Sequence, residues 1–359
     1  MSLLSNDSRH KNQLASDWMH RGMDLANENS EATLEQAVRC FDEAIALRRT
    51  LPLDENHFFR YGLSAGWINR GDAMMRFGTD RSLAEAVKSY DEALVLLESL
   101  PLKENALYPR RLAIAWINRG FALQKQEAPH DLWEATACFR EAIEVLESPE
   151  ANEVTDRASL LAGAWINLAE AFMSSDQEDA ETIRSAARKA LALVLPSERL
   201  DLVSAEIGSK GRHLLCRLAV RDIAGKRPLS KPSASEATDA VDETLALVRH
   251  WKLQGQGKLP TLALEIFRFG CRLYENSQPH FLAEFLTECL APELFGEAIL
   301  PDQETLDAAH AAIWGALGNL QLDGFHLIST SQFEPFLADI QELREVEERL
   351  NQLRLVPAA

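Results

Sequence analysis

The chain has 359 residues, enough for two or three ordinary domains or for one long repeat array. Hydrophobic residues make up 46% and charged residues 26%, the balance of a chain that buries a core. A net charge of −18 sets it against nucleic acid and anionic membrane surfaces, and no stretch approaches the roughly 18 apolar residues of a membrane span.

The opening stretch, MSLLSNDSRHKNQLASD, has no long apolar segment, so no secretory leader is expected. The five cysteines, Cys40, Cys138, Cys216, Cys271 and Cys289, are scattered and form no Cys-x-x-Cys pair. Reduced, buried thiols in a cytoplasmic protein are the simplest reading.

From residue 13 onward the chain repeats itself. Trp18 in DWMHRG, Trp67 in GWINRG, Trp116 in AWINRG and Trp165 in AWINLA follow one another at a constant spacing of 49. A fixed period of this size marks a repeat architecture. A second stretch recurs in step: AVRCFDEAI (37–45), AVKSYDEAL (86–94) and ATACFREAI (135–143). Ala37, Phe41 and Ala44 share one helical face, as do Ala86, Tyr90, Ala93 and Ala135, Phe139, Ala142. Each unit therefore reads as two helices, A with the Trp and B with the aromatic. Small residues such as Gly71 and Ala93 let the backbones approach, and Trp67 and Tyr90 fill the space between them as core.

The connectors agree. GTDRS (78–82) separates A from B in the second unit, with Asp80 or Ser82 as the cap. TLPLDEN (50–56) and its copy SLPLKEN (99–105) join one unit to the next. The fourth unit keeps AWIN and then drifts; its second helix, 183–195, aligns after a one-residue shift.

Trp-x-x-x-Gly in helix A, then Ala-x-x-x-aromatic-x-x-Ala in helix B, resembles the tetratricopeptide repeat (TPR) over residues 13–195. A unit of that family has about 34 residues, and this one is about 15 longer, which is most similar to the repeats of kinesin light chains. Where the family often has Leu, this chain has Arg21, Arg70 and Arg119, a departure a partly exposed position tolerates. The resemblance implies an all-α, right-handed α-α superhelix of about seven hairpins, with helix A lining a concave surface.

The second half, 196–359, continues as divergent helical hairpins. The stretch 197–225 reads as one long helix, and 225–235 as a polar, Pro-containing linker. Further helices are expected over 235–251, 259–274, 278–290 and 304–322, the last with Trp314 in a degraded helix-A pattern. A final helix over 331–355 carries Leu343, Val346, Leu350 and Leu353 and is expected to cap the array; a dimer seam is the alternative.

Asn is a poor helix-interior residue, because its amide competes for backbone groups. Yet Asn69, Asn118 and Asn167 recur at one position, which His20 holds in the first unit. The resemblance implies that this position faces the groove, where a ladder of amides grips the main chain of an extended peptide. The competing reading is an inert residue copied by duplication, or one that bonds a neighbouring helix. Arg76 and Lys125 lie seven residues beyond an Asn and Arg111 seven before one, on the same face. Such basic groups favour an acidic segment or a terminal carboxylate.

Catalytic signatures are sparse. No His-Glu-x-x-His or zinc-spaced Cys/His set occurs, GQGK (255–258) lacks the frame of a phosphate loop, and GSKGRH (208–213) is no nucleophile elbow. Asp42–Glu43 and Asp91–Glu92 read as a solvated helix-B face. No cofactor or metal is expected. The function expected is a non-enzymatic scaffold or adaptor that binds an extended peptide or partner segment on the concave helix-A face and serves as a subunit of a larger complex. An α/α-toroid enzyme, or a peptide-responsive regulator with a DNA-binding domain ahead of its repeats, are the alternatives.

Overall fold

The computed structural model describes residues 6–126, 128–174, 180–198 and 200–224, with isolated positions at 237, 239–241, 243–244, 246 and 344–346. Regular structure among the described residues is entirely helical. The chain divides into two compact units, Met1–Leu193 and Val194–Ala359. The linker, the four helices expected between 235 and 322, Trp314 and the capping helix at 331–355 lie outside the described residues, save the isolated positions.

In the first unit, α1 (Asn6–Glu28) pairs with α2 (Glu31–Arg49), α3 (His57–Phe77) with α4 (Asp80–Glu98), and α5 (Leu107–Gln124) with α6 (Pro129–Glu147). Then come α7 (Arg157–Ser174) and α8 (Ala180–Val194). Each second helix also packs on the first helix of the next hairpin: α2 on α3, α4 on α5 and α6 on α7. The first helices touch one another in turn, whereas α2, α4 and α6 do not approach each other to the same degree. Within this unit the first helices are therefore the inner layer.

Local chemistry fixes the helix ends. Ser30 and Thr79 cap α2 and α4, each closing a reciprocal box with Thr33 or Ser82. Asp80, expected as a cap, is instead the first helical residue, where its charge meets the positive end of the dipole. The side chains of Asn56 and Asn105, 49 apart, accept from the amides of Phe58 (2.9 Å) and Leu107 (3.0 Å). Gly78 ends α3 in the left-handed region, at φ 65°, where other residues are strained.

The core is a ring seated on a glycine. A Cβ on Gly22, Gly71 or Gly120 would stand 2.5, 2.6 or 2.7 Å from the ring of Phe41, Tyr90 or Phe139. These rings are fully buried between the alanines that flank them in sequence. Gly71 thus admits an aromatic face rather than a backbone. The tryptophans expected in the core are only half-buried. An indole face left open to cations explains this: Arg49 and Arg70 lie 4.9 and 5.8 Å from the Trp67 ring, and Lys189 lies 3.9 Å from that of Trp165.

In the second unit, α9 (Leu202–Ala224) begins later than the single helix expected over 197–225. The carboxylate of Asp201 accepts from the Ser204 amide at 2.8 Å and starts the helix there. Arg212 donates to both oxygens of Glu198, at 2.8 Å each, and to Glu243 at 2.9 Å.

Candidate functional site

The repeated Asn position lies on α1, α3, α5 and α7. His20 is exposed, and Asn69, Asn118 and Asn167 are half-buried. They are not equivalent. The Asn118 amide donates to the carboxylate of Asp72 at 2.9 Å, which the Tyr90 hydroxyl also donates to at 2.7 Å. Among the described residues, the side chains of Asn69 and Asn167 have no hydrogen-bond partner. The register explains the difference. Asp72 lies 46 positions before Asn118, and the corresponding positions before Asn69 and Asn167 are Met23 and Phe121, which offer no acceptor.

Burial pushes the Asp72 carboxyl above its ordinary value, against the opposing pull of Tyr90, Asn118 and then the Arg76 charge. The same burial and the neighbouring Asp72 raise the Tyr90 hydroxyl far above its usual range. Asn118 is thus one corner of a structural triangle that ties α5 to α3 and α4.

The three basic groups expected on one stripe go to three places. Arg76 donates to the carbonyl of Ala26, near the end of α1, which the Asn29 amide also donates to. Lys125 closes α5, its ammonium 5.1 Å from the Phe121 ring. Arg111 lies over Tyr61, 3.6 Å from the ring centroid, and donates to the Tyr61 carbonyl at 3.0 Å. Arg111 and His20 line the same cavity, of about 270 Å³, between α1, α3 and the start of α5, as does Arg48.

Two sets of residues escaped the sequence reading. The first is the arginine that follows the Asn. Arg70 donates to Asp42 (2.8 Å) in the hairpin before it and to Ser89 (2.7 Å) in its own. Arg119, 49 residues on, repeats this with Asp91 (2.7 Å) and Cys138 (3.0 Å). Arg70 and Arg119 are therefore staples between hairpins rather than tolerated departures, and Asp42 and Asp91 are their partners rather than a merely solvated face. The constant spacing of 28 between each Asp and its Arg was the available signal. The second is Arg48, whose copies in the next two units are Leu97 and Leu146.

Cys40, Cys138 and Cys216 are free and buried; Cys271 and Cys289 lie outside the described residues. Among the described residues no group of three or more His, Cys, Asp or Glu is placed to hold a metal ion, and no helix is long and apolar enough to cross a membrane.

No protein-family model matches the chain, and no curated protein matches it. Among solved structures it is similar to one described as "Circular tandem repeat protein with novel repeat topology and enhanced subunit contact surfaces", at 14% identity and a TM-score of 0.35, over 96% of this chain and 85% of that one. Another, described as "Computational Design of Self-Assembling Cyclic Protein Homooligomers", is 12% identical with a TM-score of 0.15, over 97% of each. Scores this low carry no argument, so the helical-repeat fold rests on the helices and their packing.

Proposed function

We propose that the first unit is a TPR-like scaffold that holds an extended segment of another protein along the inner face of its first helices. The observation that carries this reading is the pair Asn69 and Asn167. Each places an amide with no protein partner among the described residues at a half-buried position of a first helix, where its donors and acceptor stay available to a ligand. A peptide main chain supplies the missing donors and acceptors at each step of the array. Asn118 is held by Asp72 and contributes stability instead. The protein is a non-enzymatic adaptor or complex subunit in this reading, working in a reducing compartment.

The test is selection of a displayed random-peptide library on the full chain. Enriched peptides are expected to bind at least about ten-fold more weakly to Asn69→Ala/Asn167→Ala, the loss of two or so net hydrogen bonds. Val95→Glu, on the exposed face of α4, is expected to bind as the parent does. Circular dichroism checks that all are folded. Enrichment of no peptide, or binding indifferent to the double substitution, would sink the reading.

A further inference from the structure

Arg48 occupies a position that its two copies fill with apolar side chains. Leu97 and Leu146 are 0% exposed, and Arg48 itself is 7% exposed. Here the chain has put a guanidinium into what is elsewhere core. Two residues of the first two hairpins, Gly62 and Ser16, make that possible. Gly62 leaves room, since a Cβ there would lie 3.3 Å from Arg48 Nε. Its carbonyl accepts from Nη1 at 2.6 Å, and the Ser16 hydroxyl accepts from Nη2 at 3.3 Å. The buried Nε has no partner.

The second cation is Arg111, on the ring of Tyr61. Among the described residues neither Arg48 nor Arg111 has a carboxylate within ion-pair distance. Other half-buried or buried arginines of this chain do: Arg70 has Asp42, Arg119 has Asp91 and Arg212 has Glu198. Burial, and then the charge of Arg111, push Arg48 below its ordinary value; burial is also the main push on Arg111. Two guanidinium groups that repel each other, partly stripped of water and without a counter-charge, stand at the wall of one cavity of about 270 Å³. The chain around them carries a net charge of −18, so the missing carboxylate is not for want of acidic residues.

We propose that this cavity is a carboxylate site, in which Arg48 and Arg111 receive a peptide carboxylate whose neighbouring apolar side chain packs on Phe58 and Met19. A guanidinium fork matches the two oxygens of a carboxylate, and removal from water strengthens the match. Phe58, 60% exposed, and Met19 line the same cavity and give it an apolar wall. That the ligand is a peptide rests on the scaffold reading above; that it is a carboxylate rests on the two arginines.

Titration calorimetry on the full chain tests this with four probes. Acetyl-Glu-Phe-amide carries a side-chain carboxylate, acetyl-Phe only a terminal one, acetyl-Gln-Phe-amide none, and inorganic phosphate is a free anion. One or both carboxylate probes are expected to bind at least about ten-fold more tightly than the Gln probe, from the strength of charged hydrogen bonds. Which of the two does so tells side-chain from terminal carboxylate. Arg48→Leu, which installs the residue of the copies, and Arg111→Gln are each expected to erase that preference while melting no lower than the parent, because each removes one of two unneutralised charges. Equal binding of the Glu, Gln and acetyl-Phe probes, binding of phosphate alone, or a preference that survives Arg48→Leu overturns the proposal. So does a free Arg48→Leu that melts lower while the parent binds no carboxylate, for the arginines are then structural. Library peptides that need Asn69 and Asn167 but ignore Arg48→Leu would leave the scaffold reading standing and this one fallen; carboxylate binding without any library peptide would do the reverse.

Discussion

Between the second and third hairpins, Arg119 of α5 reaches back to Asp91 of α4, and Gly120 beside it receives the ring of Phe139. Between the third and fourth, the matching positions hold Arg140, Leu168 and Ala169. Leu168 is buried, Ala169 takes the glycine's place in the sequence, and the one-residue shift of this unit puts the buried Ala187 where the aromatic stood. Arg140, freed of an arginine partner on α7, lies 5.5 Å from the ring of Phe172. Asp and Arg depart together, and so do glycine and ring. The comparison teaches that a repeat unit is a few interlocked pairs, each of which works whole or is replaced whole. A single change inside a pair should therefore cost more than the paired change the chain itself has made.

The largest effect should come from the glycine. Gly71→Ala puts a Cβ 2.6 Å from the buried Tyr90 ring, and overpacking of this kind costs about 1–3 kcal/mol. In the fourth hairpin nothing lies within 4 Å of a Cβ added at Gly163. Gly163→Ala is expected to stabilise by about 0.5–1 kcal/mol, the gain in helix propensity. Urea unfolding of the two variants checks the opposite signs, and two shifts of the same sign would break the comparison.

A pH series comes next, because Asp72 ties α3 to α4 and α5 and its copies, Met23 and Phe121, carry no carboxyl. Its folded carboxyl titrates above the ordinary 3.8. Below 3.8 both folded and unfolded chains hold the proton, and the stability linked to it is fully present. As the pH rises from there through the folded value, the unfolded state loses its proton first and that stability is lost. Asp72→Asn cannot titrate. Its stability relative to the parent should rise from pH 3.8 upward and then level off, read as urea midpoints along the series. A difference that stays flat would mean that the burial of Asp72 is not felt.

The smallest effect is the staple. Asp91 is 47% exposed at its side chain, so water screens the pair. A double-mutant cycle with Arg119→Leu and Asp91→Ala should give a coupling of about 0.5–1 kcal/mol. No coupling would reduce the staple to a coincidence of register.

The period of 49, the hairpin in each unit and the face that holds Ala, aromatic and Ala were all legible, because each is written by residues within one helix or copied at fixed spacing. The start of α4 was legible to within a residue, since Thr79 takes the cap next to Asp80 with Ser82 in support, whereas α9 begins five residues later than expected. The tryptophans misled because a recurring indole reads as core, while Arg49 over Trp67 and Lys189 over Trp165 come from other helices. Of the candidate site, the Asn position was legible and its uses were not. Arg111 was singled out for its place seven residues before Asn118, whereas its companion Arg48 lies on α2 and could be found only by asking why one copy of a leucine is charged.

Duplication and helical periodicity are one-dimensional, so the period of 49, the helices of the first three units and the ring and glycine of each could be read from residue order alone. What each copied polar group does was decided only by the tertiary structure. Asn118 meets an acceptor 46 residues away and Asn69 does not. Arg70 and Arg119 find carboxylates on the preceding hairpin, and among the described residues Arg48 and Arg111 find none. Hydrogen bonding and charge pairing depend on what stacking brings within about 3 Å and on how much water it removes, and neither is a property of a residue's own helix.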